Sequence, residues 1–124
     1  MTESTIIAPA SAPGRGGVSV VRVSGPKALS IAKDLCGDLE EPWRLKRCNI
    51  KTKDGVVLDT GLVVFFKSPH SYTGEDVVEI HCHGNPRLVD LIVAEGVSCG
   101  ARIAEPGEFT KRAYLNNKID LAQA

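Results

Sequence analysis

The order of apolar and polar positions predicts alternating strands and helices along the chain. Short runs rich in apolar and β-branched residues predict strands over residues 5–8, 18–23, 76–83 and 101–104. Residues 43–53 predict a weaker strand. Asp54-Gly55 predicts a two-residue hairpin turn that leads into residues 56–58. Residues 62–66 are continuously apolar, which is typical of a central strand buried on both faces.

Three further segments have helical signals. Apolar residues between Ser24 and Gly37 recur at helical spacing, and Ser24 is the predicted N-cap. Asn85 is expected to cap a second helix, which we expect to end at Gly96. Residues 106–115 predict a short third helix. The order of strand, helix, strands, helix and strand predicts an α+β fold with a mixed sheet. It is a split β-α-β arrangement resembling ferredoxin-like folds, with an added hairpin.

Composition narrows the class of protein. A chain of 124 residues supports one hydrophobic core, and 43% apolar with 24% charged residues is ordinary for a globular domain. Fifteen basic residues balance fifteen acidic ones, which gives no electrostatic footprint for nucleic acid on this chain alone. The four cysteines are scattered without a CxxC pair, and no signal peptide or membrane span is recognisable. We therefore expect reduced thiols and a cytoplasmic location.

Glu79, His81 and His83 alternate with apolar residues on the strand predicted over residues 76–83. Period-two alternation places the three polar side chains on one face of a sheet. Two histidines and a carboxylate can bind zinc or iron, so a metal site is one hypothesis. A solvated strand face is the more common explanation. A third possibility is that Glu79 accepts paired hydrogen bonds from a ligand.

Basic residues and a glycine-rich turn supply the other candidates. Arg22 interrupts an apolar strand, where an arginine is usually an edge residue; paired with Glu79, it would grip a carboxylate or stack on a ring. Lys118 has an ordinary surface lysine as its simplest interpretation. The turn at residues 14–17 precedes a strand, and the chain has no GxxxxGK[ST] motif. We therefore expect no phosphate loop.

Three segments together resemble one known family. They are PGRGGVSVVRVSGP (residues 13–26), SYTGEDVVEIHCHGNP (residues 71–86) and ARIAEPGEFTKRAYLNNKIDLAQ (residues 101–123). In order and spacing they are similar to the amino-terminal domain of the MnmE (TrmE) family, GTPases that modify the wobble uridine (U34) of tRNA. The resemblance covers essentially the whole chain. One departure is Asn85, where the family usually has glycine.

The resemblance implies a fold like the tetrahydrofolate-binding T-protein, and a homodimer that binds 5-formyl- or 5,10-methylene-tetrahydrofolate as one-carbon donor. The folate contacts carried over are Arg22, Glu79 and Lys118. Residues 1–117 would form this folate-binding and dimerisation domain. Residues 118–124, with a capping-box spacing at 120–123, would begin a helical domain cut short here.

The rest of the family's activity would lie outside this chain. GTP, Mg²⁺ and K⁺ would bind a separate G domain, so we expect no GTP hydrolysis by these 124 residues. The implied partners are a second copy, the MnmG (GidA) protein, and tRNA through the full-length complex. Two alternatives remain: a dimerisation module with no working folate site, and the metal site at Glu79, His81 and His83.

Overall fold

The computed structural model describes residues 4–10, 17–39 and 41–116. Within these ranges the strands are β1 (Ile6–Pro9), β2 (Val18–Ser24), β3 (Lys46–Lys51), β4 (Val57–Phe66), β5 (Val77–His83) and β6 (Arg102–Ile103). The helices are α1 (Ala28–Cys36), α2 (Pro86–Ser98) and α3 (Glu108–Leu115). The predicted alternation of strands and helices is confirmed.

The described strands form one mixed sheet in the order β3-β4-β5-β2-β1-β6. Neighbouring strands are antiparallel except β1 and β6, which are parallel. The α+β class with a mixed sheet is therefore confirmed. β3 pairs with β4 as the added hairpin at one edge, and β1 lies between β2 and β6 near the other.

The two faces of the sheet differ in what covers them. On the first, the helix face, alternate residues such as Val21, Val23, Val78 and Ile80 join α1 and α2 in a continuous buried core. Because side chains alternate along a strand, the residues between them point to the opposite side, here called the second face. Arg22 and Glu79 lie on that second face, so the polar residues are segregated from the main core.

The predicted N-cap of the first helix is wrong. Ser24 is the last residue of β2 and is fully buried, and its hydroxyl bonds to Thr73 and Glu75 instead of a helix end. Lys27 occupies the N-cap position, and its side chain makes no capping bond. Its backbone N–H instead donates to Thr5 Oγ1 at 2.8 Å. A residue far away in sequence therefore satisfies this end of α1, which local sequence signals cannot show.

The hairpin between β3 and β4 is present, but its turn is longer than predicted. Thr52 N–H donates to Val56 O, and Gly55 N–H donates to Thr52 O, so residues 53–55 form a three-residue loop. Gly55 has φ +87°, the left-handed conformation that such loops need at this position. β3 is also shorter than the predicted residues 43–53.

β4 is longer than the sequence indicated. It is a single ten-residue strand, which joins the predicted run at 62–66 to the segment after the turn. It is interior to the sheet, as predicted, and Val63, Val64 and Phe65 are buried. Leu62 is exposed, so burial on both faces is correct for only part of the run.

The end of the second helix was predicted too early. Asn85 caps α2 as expected, and its Oδ1 accepts from the N–H groups of Arg87 and Leu88. The helix continues through Gly96 to Ser98. Gly96 is a packing residue because a Cβ there would collide with the Ile7 side chain on β1. A close helix–sheet contact thus accounts for a glycine that looked like a stop signal.

Some predictions fall outside the described residues. These are Gly14 to Gly16 of the glycine-rich turn, Lys118, and the boundary of the helical domain at residues 118–124. Where the structure describes the chain, none of its helices combines the length and the apolar character needed to cross a bilayer.

Candidate functional site

The second face of the sheet brings Arg22 and Glu79 into direct contact. They are paired across β2 and β5 in register, and Arg22 donates from Nε and Nη2 to Glu79 Oε2 at 3.3 and 3.2 Å. Their side chains are 21% and 20% exposed. Both are therefore sheltered from most water but still reachable from the surface. The pairing that the sequence left open is present.

Two aromatic rings enclose the guanidinium of Arg22. Its Cζ lies 5.0 Å from the centroid of the Tyr72 ring and 5.3 Å from that of Phe109. Tyr72 belongs to the β4–β5 loop and Phe109 to α3. A planar guanidinium is attracted to such ring faces. The rings therefore hold Arg22 in place and give the site apolar walls.

His81 continues the polar row along β5. Its Nε2 lies 3.5 Å from Glu79 Oε1, the carboxylate oxygen that Arg22 does not contact. Nε2 is buried and makes no hydrogen bond within the described part of the chain. Buried polar groups normally have partners, so this nitrogen has unused bonding capacity beside Glu79. The site therefore contains a carboxylate with one oxygen still available to accept a hydrogen bond.

His83 at the end of β5 is bonded to Asp59 on β4. Its Nδ1 lies 2.8 Å from Asp59 Oδ1, and its backbone N–H donates to Asp59 Oδ2 at 2.9 Å. Burial of Asp59 opposes its ionisation, but these bonds outweigh burial and lower its pKa. Glu79, His81 and His83 therefore do not converge, and the described residues contain no group of three such side chains able to hold a metal ion.

An open groove lies beside these residues. Its volume is about 260 Å³, and it extends along the second face from His81 toward the end of β5. A larger open pocket of about 460 Å³ lies between the end of α1 and the start of β3, away from Arg22 and Glu79. The residues that line the smaller groove are Gly17, Val18, Thr60, Gly61, Leu62, His81, Cys82 and His83.

A buried arginine fastens α3 over the other end of the second face. Arg112 is 2% exposed and bonds through Nη1 to Glu75 Oε1 at 3.1 Å and to the carbonyl of Ser4 at 2.9 Å. Its Nη2 donates to Glu108 Oε2 at 3.1 Å. Ser24 donates its only hydroxyl proton to Glu75, so Thr73 donates to Ser24. This network fixes the helix that carries Phe109.

Glu108 at the start of α3 is a second anchor. The hydrogen bond from Arg102 is the largest influence, and together with bonds from the backbone of Glu105 and from Arg112 it lowers the pKa of Glu108 to about 2. The carboxylate therefore stays ionised at neutral pH. It connects α3 to Arg102 on β6 at 2.7 Å.

None of the four cysteines forms a disulfide. All four are free thiols, and Cys48 and Cys82 are buried on strands. Burial raises the pKa of Cys82 to about 11, which makes it an unreactive thiol.

The sequence did not indicate the aromatic enclosure or its support. Tyr72, Phe109 and Arg112 lie in a loop and a short helix, and their contacts with Arg22 and Glu75 are all long-range in sequence. The one available signal was the small number of aromatic residues. The chain has only six, and two of them enclose Arg22. Lys118 lies outside the described residues, so its position relative to this site is not part of the structure.

Comparison with known proteins gives a consistent result. A family model described as the GTP-binding protein TrmE N-terminus matches residues 5–118. A "tRNA modification GTPase MnmE" of Legionella pneumophila (strain Paris) is 53% identical over 125 residues, which cover 100% of this chain and 28% of the relative. A protein of the same name from Francisella tularensis subsp. holarctica (strain OSU18) is 52% identical, covering 99% and 27%. The chain thus spans little more than a quarter of the length of these relatives.

Proposed function

This chain belongs to the family of the GTP-binding protein TrmE N-terminus, and we propose that it binds a reduced folate at the Arg22–Glu79 pair. The expected ligand is 5-formyl- or 5,10-methylene-tetrahydrofolate. The observation that carries the proposal is a sheltered carboxylate in register with an arginine enclosed by two aromatic rings. These groups suit a flat heterocycle that has both an apolar face and hydrogen-bond donors.

Glu79 is the proposed anchor for the pterin ring. A pterin presents an N3–H and a 2-amino group side by side, and a carboxylate accepts two such parallel hydrogen bonds. Arg22 bonds Oε2 alone, so Oε1 remains available for one bond, and the second parallel bond would replace one of the two bonds from Arg22 at Oε2. The partnerless Nε2 of His81 beside Oε1 also fits a ligand that completes the hydrogen bonding here.

Arg22 is proposed to hold the ligand's polar parts together with Lys118. The rings of Tyr72 and Phe109 fix the guanidinium plane, which lowers the entropy lost when Arg22 binds a partner. Lys118 lies outside the described residues and enters only through the family resemblance. The Gly14–Gly17 turn, of which Gly17 is described, would allow close backbone approach.

The wider role is also a proposal. Relatives named as tRNA modification GTPases support a role for this domain in a longer protein that modifies tRNA. From the family resemblance we propose that the modified base is the wobble uridine (U34), with folate as one-carbon donor. In that protein GTP, Mg²⁺ and K⁺ would bind a separate G domain. The proposed partners are a second copy of the chain, the MnmG (GidA) protein and tRNA, in the cytoplasm.

Calorimetric titration with 5-formyltetrahydrofolate tests the folate proposal. A hydrogen bond to a charged group contributes on the order of 1.5–3 kcal/mol, so Glu79→Ala should weaken binding by roughly tenfold to a hundredfold or more. Glu41→Ala is a matched control, because Glu41 is an exposed glutamate paired only with nearby Arg44 among the described contacts. Equal affinities for the wild-type chain and Glu79→Ala would remove the anchor role from Glu79.

A dimerisation module without a working folate site is the second candidate. It predicts self-association with no heat of folate binding in the same titration. The metal alternative has less support, because His83 is bonded to Asp59 and the described residues contain no group of three side chains able to hold a metal ion. Elemental analysis showing stoichiometric zinc or iron would restore it.

A further inference from the structure

Two thiols are in direct contact where α1 meets the edge strand β3. Cys36 is the last residue of α1, Cys48 lies on β3, and their side chains are hydrogen-bonded to each other. The two residues are 5% and 8% exposed and belong to the same buried core cluster on the helix face. A second bond joins the two segments nearby, because Lys46 Nζ donates to the carbonyl of Asp38. The end of α1 is therefore held against β3, with the thiol pair at their contact.

An open pocket lies beside this thiol pair. It is the pocket of about 460 Å³ between the end of α1 and the start of β3. Asp38 and Lys46 line it, and each is two residues away from one of the cysteines along the chain. Leu39, a third lining residue, belongs to the same core cluster as both cysteines. The pocket therefore brings small solutes next to the part of the core that contains the thiols.

The two thiols differ in how readily they ionise. The hydrogen bond from Cys36 and the charge of Lys46 lower the pKa of Cys48, and they outweigh burial and the nearby Asp59, which raise it. The same hydrogen bond, together with burial, raises the pKa of Cys36, so Cys36 keeps its proton. Burial also raises the pKa of the remaining cysteines, Cys82 and Cys99. Among the four cysteines, all of which the structure describes, Cys48 is therefore the one whose surroundings favour the thiolate, the form that reacts with oxidants.

We propose that Cys36 and Cys48 form a reversible disulfide when the protein meets hydrogen peroxide. The Cys48 thiolate attacks one peroxide oxygen, the O–O bond breaks, and the leaving hydroxide takes up the proton that Cys48 released. Cys36 then attacks the sulfur of the sulfenic acid at Cys48. The S–O bond breaks, and the hydroxyl leaves as water with the Cys36 proton. The peroxide is thus reduced to water and the two thiols are oxidised to one disulfide, which a thiol reductant reverses by exchange.

Mass spectrometry of the reduced chain after treatment with hydrogen peroxide tests the proposal. The remaining thiols are blocked with iodoacetamide under denaturing conditions and counted. We expect two blocked thiols instead of four, and a cross-linked peptide pair that contains Cys36 and Cys48. Dithiothreitol should restore all four. Cys36→Ala should stop at the sulfenic acid of Cys48, which dimedone captures. The matched control Cys99→Ala, which removes a half-buried thiol elsewhere, should still form the disulfide.

Several results would overturn the proposal. They are four blocked thiols after peroxide treatment, a cross-link that includes Cys82 or Cys99, a disulfide between two copies of the chain, and loss of all four thiols at similar rates. Peptide mapping needs only the wild-type chain, so the test remains decisive if Cys36→Ala does not fold. The thiol pair lies on the helix face, whereas Arg22 and Glu79 lie on the second face. The outcome is therefore independent of whether the chain binds folate.

Discussion

At the scale of single residues, the site depends on the neighbours of the two carboxylate oxygens of Glu79. Arg22 takes one carboxylate oxygen with two nitrogens, while the other oxygen faces a histidine nitrogen that makes no hydrogen bond. An isolated charge at 20% exposure would be costly to bury, and the arginine offsets that cost. The pair thus leaves Glu79 able to accept a hydrogen bond from a ligand. The guanidinium plane matters as much as its charge.

Replacing Arg22 with lysine separates those two properties. Arg22→Lys keeps the positive charge but loses the planar group that lies between Tyr72 and Phe109 and bonds Glu79 through two nitrogens. We expect folate affinity to fall about tenfold, corresponding to the loss of one hydrogen bond to a charged group. Fluorescence titration measures it, with exposed Arg44→Lys as control. Full affinity in Arg22→Lys would mean that charge alone is sufficient.

At the scale of elements, α3 is held on the sheet by the ion pairs and hydrogen bonds of its charged side chains more than by apolar packing. Arg112 joins it to Glu75 and to Ser4, and Glu108 joins it to Arg102 on β6. An eight-residue helix is marginal alone in water, so these ion pairs decide whether it stays on the sheet. Because α3 carries Phe109, its docking also decides whether Arg22 remains enclosed.

The docking of α3 should therefore respond to acid. The pKa of Glu108 is about 2 in the folded chain against an ordinary value of 4.5. A lowered folded pKa adds stability that is complete above 4.5 and is lost as the pH falls from 4.5 toward 2. We expect Glu108→Gln to be less stable at neutral pH and to lose less stability across that acid window. Urea unfolding at several pH values measures this. Parallel pH profiles for both proteins would contradict the role of Glu108.

At the scale of the whole molecule, alternation and helical spacing were enough to predict the strands, the helices and the α+β class. Period two placed Glu79 on the face opposite Ile80, and Asn85 capped α2 as expected. The errors arose where distant residues decide the outcome. Thr5 satisfies the start of α1, and Ile7 explains the glycine inside α2. The Arg22–Glu79 contact likewise depends on strand pairing, which neither strand encodes locally.

Self-association is the prediction that belongs to the whole chain. The family resemblance implies a homodimer, and we expect sedimentation velocity to give a species of twice the chain mass of 13.2 kDa. If the site spans two copies, saturating 5-formyltetrahydrofolate should also shift the equilibrium further toward the dimer, because a ligand stabilises the state that binds it. A monomer at all concentrations, with or without folate, would contradict this part of the account.

The most direct test of the central claim is a crystal structure of the chain with 5-formyltetrahydrofolate bound. The pterin N3 and 2-amino nitrogens should lie within hydrogen-bond distance of the Glu79 carboxylate, at roughly 2.7–2.9 Å for bonds to a charged acceptor. The pterin ring should also lie next to Arg22. A ligand bound elsewhere on the chain, with Glu79 still bonded only to Arg22, would contradict the account.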